Sequence, residues 1–304
     1  MSKKLLFVVV GPTAIGKTSL GISLARAFQS EIISADSRQF YKEMKIGTAV
    51  PSEVELEAAK HHFIQHISVE KEYSVGDFER DALEHLQQIY TQHNVAVMVG
   101  GSGLYVDAVI KGLDDFPEVD PAIRIDLNEQ LKTFGIASLQ QELKMRDAEY
   151  YSGVDLQNPH RLIRALEICR GTGKTYSSFR KRGSKNRFFE PVFIGLSAER
   201  EIIYNRINRR VDLMMQEGLL EEAEALFPRR HLNALNTVGY KELFQFLEGK
   251  IDLETAVSEI KKNTRRFAKR QLTWFRKNKQ INWFDINTSH EEIIAFARKQ
   301  LPNF

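Results

Sequence analysis

The sequence has almost none of the features that mark secreted, disulfide-bonded or membrane proteins. Cys169 is the only cysteine among 304 residues, which excludes an internal disulfide framework and a cysteine-rich zinc site and is typical of a reducing compartment. No apolar run approaches the roughly 18 residues that a membrane span needs. The run from Leu5 to Val10 follows Lys3 and Lys4, but it is too short for a signal peptide. We therefore expect a cytoplasmic protein without membrane contact.

The net charge of +3 is too small to indicate a nucleic-acid partner by itself. The charge is unevenly distributed, however. No acidic residue occurs from Lys261 to Lys279, where Phe267, Trp274 and Phe275 are interleaved, and a second basic stretch runs from Arg161 to Arg187. Such stretches are often solvated helix faces, but two of them on one chain also fit a polyanionic partner. Both interpretations stay open.

Apolar strands alternate with helices in the first third of the chain. The segments LLFVVV at 5–10, EIISAD at 31–36 and VAVMVGG at 95–101 lack polar alternation, as the buried strands of parallel sheets do. Helices are predicted between them at 17–28 and 77–92. This alternation predicts right-handed βαβ units and an open, mostly parallel sheet.

The pattern becomes purely helical after residue 113 and returns to an apolar strand, PVFIGLS, at 191–197. Further helices are predicted at 122–134, 136–146, 159–170, 199–226 and 253–277, and a last short strand at 281–284. The predicted fold is therefore an α/β core domain formed by residues 1–113 and 191–304. An all-helical insertion domain at 114–190 interrupts it.

One motif of the core predicts a phosphate site. Between the first strand and the first helix the chain matches GxxxxGKT, with the residues Gly11, Pro12, Thr13, Ala14, Ile15, Gly16, Lys17 and Thr18. In such a P-loop the backbone N–H groups and the helix N-terminus face the phosphates, the lysine adds a positive charge, and the threonine hydroxyl binds Mg²⁺. The motif predicts a diphosphate or triphosphate site with Mg²⁺ as cofactor.

A second GKT, at 173–175, does not predict another phosphate site. Ile168 stands where the first glycine of the motif belongs, and the preceding segment is helical. We interpret Gly173 as a helix C-cap.

The position of the acidic residue distinguishes this chain from many P-loop kinases. The strand at 95–99 ends in Gly100, Gly101 and Ser102, with no acid to hold Mg²⁺. Asp36 instead stands at the carboxyl end of the strand after the P-loop helix, the end that faces the ligand crevice in an open α/β sheet. Its carboxylate could coordinate Mg²⁺ or act as a general base; the structural alternative is a helix N-cap.

A zinc site is not favoured, although His62 and His66 stand four residues apart. There is no glutamate at the general-base position of a zinc-protease motif, and the sequence around His61 is strand-like.

A series of motifs along nearly the whole chain resembles the bacterial tRNA dimethylallyltransferase family, also called tRNA isopentenyltransferases. In chain order the motifs are GPTAIGKT at 11–18, DSRQFY at 36–41, MKIGTA at 44–49, HH at 61–62, YSVGDF at 73–78, GGSGLY at 100–105, NPHRLIRALE at 158–167, RV at 210–211, VGYK at 238–241 and TRRFAKRQLTW at 264–274. Ser102 stands where threonine is common in the family and keeps the hydroxyl.

The resemblance implies transfer of a dimethylallyl group from dimethylallyl diphosphate to N6 of the tRNA adenosine just 3′ of the anticodon. It implies that Asp36 takes the N6 proton, that Arg210 adds charge at the diphosphate, and that Thr18 holds Mg²⁺. A flipped adenosine would have to enter the crevice. ATP is expected to bind weakly or to act as a competitor, and not to be consumed.

The resemblance also implies a tRNA-binding surface and a monomeric enzyme. Residues expected to line the tRNA side are Asp36, Ser37, Arg38, Gln39, Ser102 and Arg124, and those expected to grip the anticodon stem-loop from the insertion are His160, Arg161, Leu162, Ile163 and Arg164. The P-loop alone is also compatible with two other functions. A small-molecule kinase would consume ATP, and an RNA-binding P-loop NTPase would carry a guanine-reading NKxD motif, which the sequence lacks.

Overall fold

A computed structural model describes residues 3–180 and 185–301. The strands are β1 (Leu5–Val10), β2 (Ile32–Ser34), β3 (His61–His62), β4 (Val95–Gly100), β5 (Glu190–Ser197) and β6 (Asn282–Asp285). They form one sheet in the order β3-β2-β4-β1-β5-β6, and every pairing is parallel. The prediction of an α/β fold with an open parallel sheet is confirmed.

The helices are α1 (Lys17–Ala27), α2 (Glu53–Ala58), α3 (Val75–Gln92), α4 (Gly103–Lys111), α5 (Pro121–Phe134), α6 (Ile136–Arg146), α7 (Ala148–Gly153), α8 (Pro159–Thr172), α9 (Tyr176–Phe179), α10 (Arg200–Gln216), α11 (Leu219–Leu226), α12 (Tyr240–Leu247), α13 (Leu253–Phe275) and α14 (His290–Arg298). Within the described residues, no helix is both long and apolar enough to cross a membrane.

The centre of the sheet is formed by the most apolar strands of the sequence. β1 pairs with β4 on one side, with Leu5 opposite Val95, and with β5 on the other, with Leu5 opposite Glu190. All six residues of β1 and all six of β4 are buried. Burial on both faces explains why these strands lack polar alternation.

The chain divides into two compact units, one formed by the residues up to 111 together with those from 186 onward, and the other by residues 112–185. The sequence predicted boundaries at 113 and 190. In the second unit only helices occur among the described residues. Its core is a cluster of apolar side chains from α5, α6 and α8, among them Leu127, Leu139, Leu143, Leu162 and Leu166.

The predicted single helix at 199–226 is wrong. The segment forms α10 and α11, which are separated at Gly218, whose φ of 99° lies in the left-handed region that glycine adopts readily. The interpretation of the second GKT is confirmed, since α8 ends at Thr172 and Gly173 follows in the left-handed conformation (φ 69°). The Gly173 N–H donates to the carbonyl of Cys169.

Candidate active site

The P-loop connects β1 to α1 with the geometry that a phosphate cradle requires. A Cβ at Gly11 would lie 2.6 Å from the Leu196 carbonyl oxygen, so the loop start accepts only glycine, and Gly16 has a φ of 106° directly before α1. The Lys17 ammonium donates a 2.8 Å hydrogen bond to the carbonyl of Pro12. The pKa of Lys17 is lowered to about 8, mainly by burial; Asp36 opposes the shift and Arg210 adds to it.

Asp36 follows β2 and opens a turn rather than a helix. Its Oδ1 accepts from the backbone N–H of Arg38 (3.2 Å), its carbonyl accepts from Gln39 N–H, and residues 37–40 are not helical. The helix N-cap alternative is therefore wrong. The hydroxyl of Ser102 lies 3.1 Å from the Ser37 hydroxyl and accepts from the Ser37 N–H at 3.2 Å. Two predicted site residues from separate strands are thus brought together.

Arg210 reaches the P-loop from α10. Its Nη1 lies 3.4 Å from Thr13 Oγ1, and Arg206 on the same helix donates to the Ala14 carbonyl at 2.8 Å. Burial lowers the pKa of Arg210, the neighbouring Arg206 adds to this, and Asp36 opposes it. The attraction between Arg210 and Asp36 shows that the predicted cation and the predicted base share one electrostatic environment.

The P-loop residue Thr13, Asp36 and Arg210 line one cavity of about 60 Å³. Thr13, Asp36, Arg38 and Arg210 supply its polar wall. Its other wall is largely apolar and is lined by Val211, Met214, Leu219, Val238, Ile260 and Phe267. The cavity therefore combines anion-binding cations, a carboxylate and an apolar surface, a combination suited to a ligand with a charged end and a hydrocarbon end.

Two of the residues predicted to line the tRNA side make contacts with other groups of the protein. The guanidinium of Arg38 lies 4.1 Å from the ring centroid of Phe267, and burial lowers its pKa. The Gln39 amide nitrogen donates to the carbonyls of Thr48 (3.2 Å) and Ala49 (2.8 Å). Both N–H donors of Gln39 are thereby occupied in holding the loop at 48–49, and the predicted tRNA contact of this residue stays a prediction.

The residues predicted on the insertion differ widely in exposure. His160 and Arg161 are exposed at the start of α8. Leu162 and Ile163 are 0% and 4% exposed and belong to the core of the second unit, so their side chains pack inside that unit. That the two residues belong to the tRNA-binding segment stays a prediction. The helical period turns these two inward while it turns His160 and Arg161 outward.

Arg124 and Arg164 converge on one carboxylate within the second unit. Arg124 donates to both oxygens of Glu167 at 2.9 and 2.8 Å, and Arg164 donates to Oε2 at 3.0 Å. A paired guanidinium like this fixes helix positions as well as carrying charge. Sequence reasoning had noted Glu167 only as part of a motif.

The basic stretch at 261–279 contains both buried and exposed positions, and its contact with a polyanionic partner stays a prediction. Most of it lies on α13, where Ala268, Gln271 and Phe275 are buried. Arg266, Lys269, Arg270, Arg276 and Lys277 are exposed. One face of this segment packs on the core and another presents positive charge to solvent.

The histidines predicted not to bind metal have other environments. The Nε2 of His62 lies 2.6 Å from the Glu31 carboxylate. His66 is packed against Phe40, Phe63 and Tyr73, and burial lowers its pKa to about 4. Within the described part of the chain, no group of three or more histidine, cysteine or acidic side chains could hold a metal ion.

The Thr18 hydroxyl fits the predicted Mg²⁺ site. It makes no hydrogen bond to another protein group in the part of the chain that the structure describes, and it lies one residue after Lys17 at the start of α1. Mg²⁺ is commonly held by a few protein oxygens together with substrate phosphates and water, so a cluster of acids is not required.

Sequence reasoning missed the roles of two residues at this site. Gln271 on α13 links the P-loop to the turn after β4, through Thr13 and Gly101. Glu222 on α11 accepts hydrogen bonds from the backbone of residues 45–47. Gln271 occurs in a recognised motif, which could have drawn attention to it; no signal in the sequence pointed to Glu222.

Comparison with known proteins identifies the family of this chain. Residues 39–278 match the sequence profile of the family described as IPP transferase. The chain belongs to the IPP transferase family. It is 62% identical over 296 residues to a protein of Christiangramia forsetii named tRNA dimethylallyltransferase, covering 97% of this chain and 98% of that one. A protein of the same name from Flavobacterium johnsoniae is 54% identical over 306 residues, covering 99% of each.

Solved structures of the IPP transferase family have the same fold. The tRNA isopentenylpyrophosphate transferase of Bacillus halodurans is 38% identical with a TM-score of 0.73, covering 98% of this chain and 96% of that chain. A eukaryotic dimethylallyltransferase, described as acting on tRNA, is 25% identical with a TM-score of 0.83, covering 98% and 79%. The predicted P-loop fold and the predicted family are confirmed.

Proposed function

We propose that this enzyme transfers a dimethylallyl group from dimethylallyl diphosphate to N6 of the tRNA adenosine just 3′ of the anticodon. The observation that carries the proposal is the cavity that Asp36, Arg210 and the P-loop residue Thr13 line together with an apolar wall. The names of the relatives, tRNA dimethylallyltransferase, support the same reaction.

The reaction assigns one role to each group. The C1–O bond of the substrate breaks, and the electron pair leaves with the diphosphate. Lys17, Arg210 and the backbone N–H groups of the P-loop stabilise the charge that develops there. N6 of the adenosine forms the new bond to C1, and its proton goes to the Asp36 carboxylate. The apolar wall accommodates the dimethylallyl group.

Mg²⁺ belongs to this proposal as the cofactor. The Thr18 hydroxyl would hold it together with oxygens of the diphosphate. When bound, Mg²⁺ neutralises charge on the leaving group. That this hydroxyl has no hydrogen-bond partner among the described residues supports the assignment.

The tRNA contacts are proposed from exposed charge in each unit. His160 and Arg161 on the second unit would bind the anticodon stem-loop. The exposed cations of α13, on the first unit, would contact tRNA phosphates. Cytoplasmic localisation and a monomeric state stay predictions, the first supported by the lone, buried cysteine.

Mass spectrometry of tRNA tests the proposal. Unmodified tRNA is incubated with the enzyme, dimethylallyl diphosphate and Mg²⁺, and digested to nucleosides. We expect dimethylallyladenosine and inorganic diphosphate in a one-to-one ratio, without ATP. A requirement for ATP, or ADP released with the product, would instead support a P-loop kinase, which needs a third phosphoryl group.

A further inference from the structure

Gln271 is a buried polar side chain that contacts two loops of the site. It lies on α13, is 5% exposed, and uses both ends of its amide. Its Oε1 accepts a 2.8 Å hydrogen bond from the backbone N–H of Thr13, and its Nε2 donates a 3.0 Å hydrogen bond to the carbonyl of Gly101. An N–H on one side and a carbonyl on the other fix the orientation of the amide.

The fit around Gln271 is tight on the Gly101 side. A Cβ at Gly101 would lie 2.2 Å from Gln271 Nε2 and 3.7 Å from the Lys17 ammonium. The turn after β4 thus approaches both the amide and the P-loop lysine closely. Glycine at position 101 leaves the space that the amide of Gln271 occupies.

Each of the two loops lies beside residues with a role in the proposed reaction. Thr13 is the residue whose hydroxyl lies 3.4 Å from Arg210 Nη1, so its backbone belongs to the diphosphate side. Gly101 precedes Ser102, whose hydroxyl accepts from Ser37 N–H beside Asp36, so this turn belongs to the side of the base. Gln271 is the side chain that connects these two sides from within the protein.

We propose that Gln271 is a positioning residue, which sets the distance between the diphosphate cradle and the Asp36–Ser102 side of the site. This inference rests on the proposed transfer reaction. The leaving group and the incoming amine are held by different loops, and their separation decides whether the reacting atoms meet. A displacement of about 1 Å at a reacting centre can cost on the order of 10²-fold in rate.

Gln271→Met preserves length and removes both hydrogen bonds. We expect the single-turnover rate of transfer to fall by about 10²-fold, while the affinities for inorganic diphosphate and for tRNA stay close to those of the wild type. Gln88→Met is the matched control, since Gln88 is exposed on α3 and its side chain has no recorded partner among the described residues. Thermal unfolding of each variant identifies the temperature range in which all are folded.

Gln271→Glu gives a signature that a merely structural role would not produce. A protonated carboxyl group can replace the amide, accepting from Thr13 and donating to Gly101, whereas the ionised form places an oxygen against the Gly101 carbonyl. The transfer rate of this variant, divided by that of the wild type, should therefore rise as the pH is lowered from about 8 to about 6. The ratio removes any pH dependence that both proteins share.

The outcomes separate this inference from the reaction on which it rests. A wild type that transfers nothing contradicts the proposed function. A wild type that transfers normally, together with a Gln271→Met variant of equal rate, overturns the positioning role. A loss of rate fully explained by weaker diphosphate binding, or a pH-independent ratio for Gln271→Glu, overturns it as well.

Discussion

The phenolic hydroxyl of Tyr240 donates a 2.6 Å hydrogen bond to Oε1 of Glu222. The same carboxylate accepts the backbone N–H groups of Lys45, Ile46 and Gly47 at 2.8, 2.8 and 2.9 Å. A Cβ at Gly47 would lie 2.6 Å from the Tyr240 ring, so the loop packs directly on it. One carboxylate therefore anchors the loop that supplies Gly47 to the wall of the active-site cavity.

Glu222→Gln should destabilise the protein, because every partner of this carboxylate is a donor and an amide nitrogen cannot accept. We expect a loss of about 1–3 kcal/mol in the free energy of unfolding, measured by urea denaturation. Glu221→Gln is the matched control, since Glu221 is the exposed neighbour on α11. Equal stability of the two variants would show that the loop is held by other contacts.

Asp36→Asn should leave tRNA binding intact and reduce turnover. Asparagine keeps an oxygen that can accept from Arg38 N–H, so the turn survives, but it cannot take the N6 proton. Loss of a general base costs on the order of 10²–10⁴-fold. Single-turnover transfer and tRNA affinity are measured on the same variant, and a wild-type rate would reduce Asp36 to a turn residue.

Thr18→Ala should lower the transfer rate by about 10²-fold, because stabilisation of the leaving group is lost. The Mg²⁺ concentration that gives half of the maximal rate should also rise. Ser19→Ala changes the exposed neighbour and serves as the control. If the two variants show the same Mg²⁺ dependence, the metal is held elsewhere.

The affinity for inorganic diphosphate should fall as the pH rises through about 8, where Lys17 loses its proton. The stability contribution of Lys17 changes in the opposite sense. Its folded pKa lies below the unfolded value of 10.5, so the unfolded state binds more protons between these values and stability rises with pH. Weaker binding there cannot then be ascribed to unfolding caused by Lys17.

Calorimetric titration of the wild type and Lys17→Arg with diphosphate separates the effect of deprotonating Lys17 from the effect of deprotonating the ligand. Arginine keeps its charge throughout this range, while the titration of diphosphate itself is common to both proteins. We expect the affinity of the wild type to fall relative to that of the variant above pH 8. Parallel curves would mean that Lys17 stays protonated or does not contact the ligand.

Arg161→Glu should weaken tRNA binding and reduce the slope of log affinity against log salt by about one unit. Arg161 is the better choice than Arg164, because Arg164 is bonded to Glu167 and a reversal there would disturb the second unit. Arg26→Glu reverses an exposed charge on α1 as the control. Indistinguishable salt slopes for the three proteins would remove Arg161 from the tRNA interface.

The parts of the structure that the sequence predicted are those with a local signal. β1 and β4 are apolar runs, β5 contains the apolar segment at 192–196, and GxxxxGKT between a strand and a helix is specific enough to locate the phosphate site. Asp36 could be placed because the carboxyl ends of parallel strands share one edge of the sheet.

The parts that it did not predict depend on contacts between distant residues. Glu222 bonds to a backbone segment 175–177 residues earlier, and Gln271 to Thr13, 258 residues earlier. Backbone N–H groups carry no residue-specific signal, so neither partner is visible in a single sequence. The inward orientation of Leu162 was available from helical periodicity, but the motif that contains it drew attention to charge instead.

The strand order has a consequence for synthesis of the protein. β1 is made first, yet one of its two edges pairs with β5, whose first residue, Glu190, lies opposite Leu5. A ribosome adding about 5–20 residues per second needs on the order of ten seconds or more to reach it. Throughout that interval one edge of β1 is unpaired. An unpaired apolar edge can pair with a strand of another chain and so promote aggregation. Translation arrested within residues 112–185 would leave the nascent chain in this state.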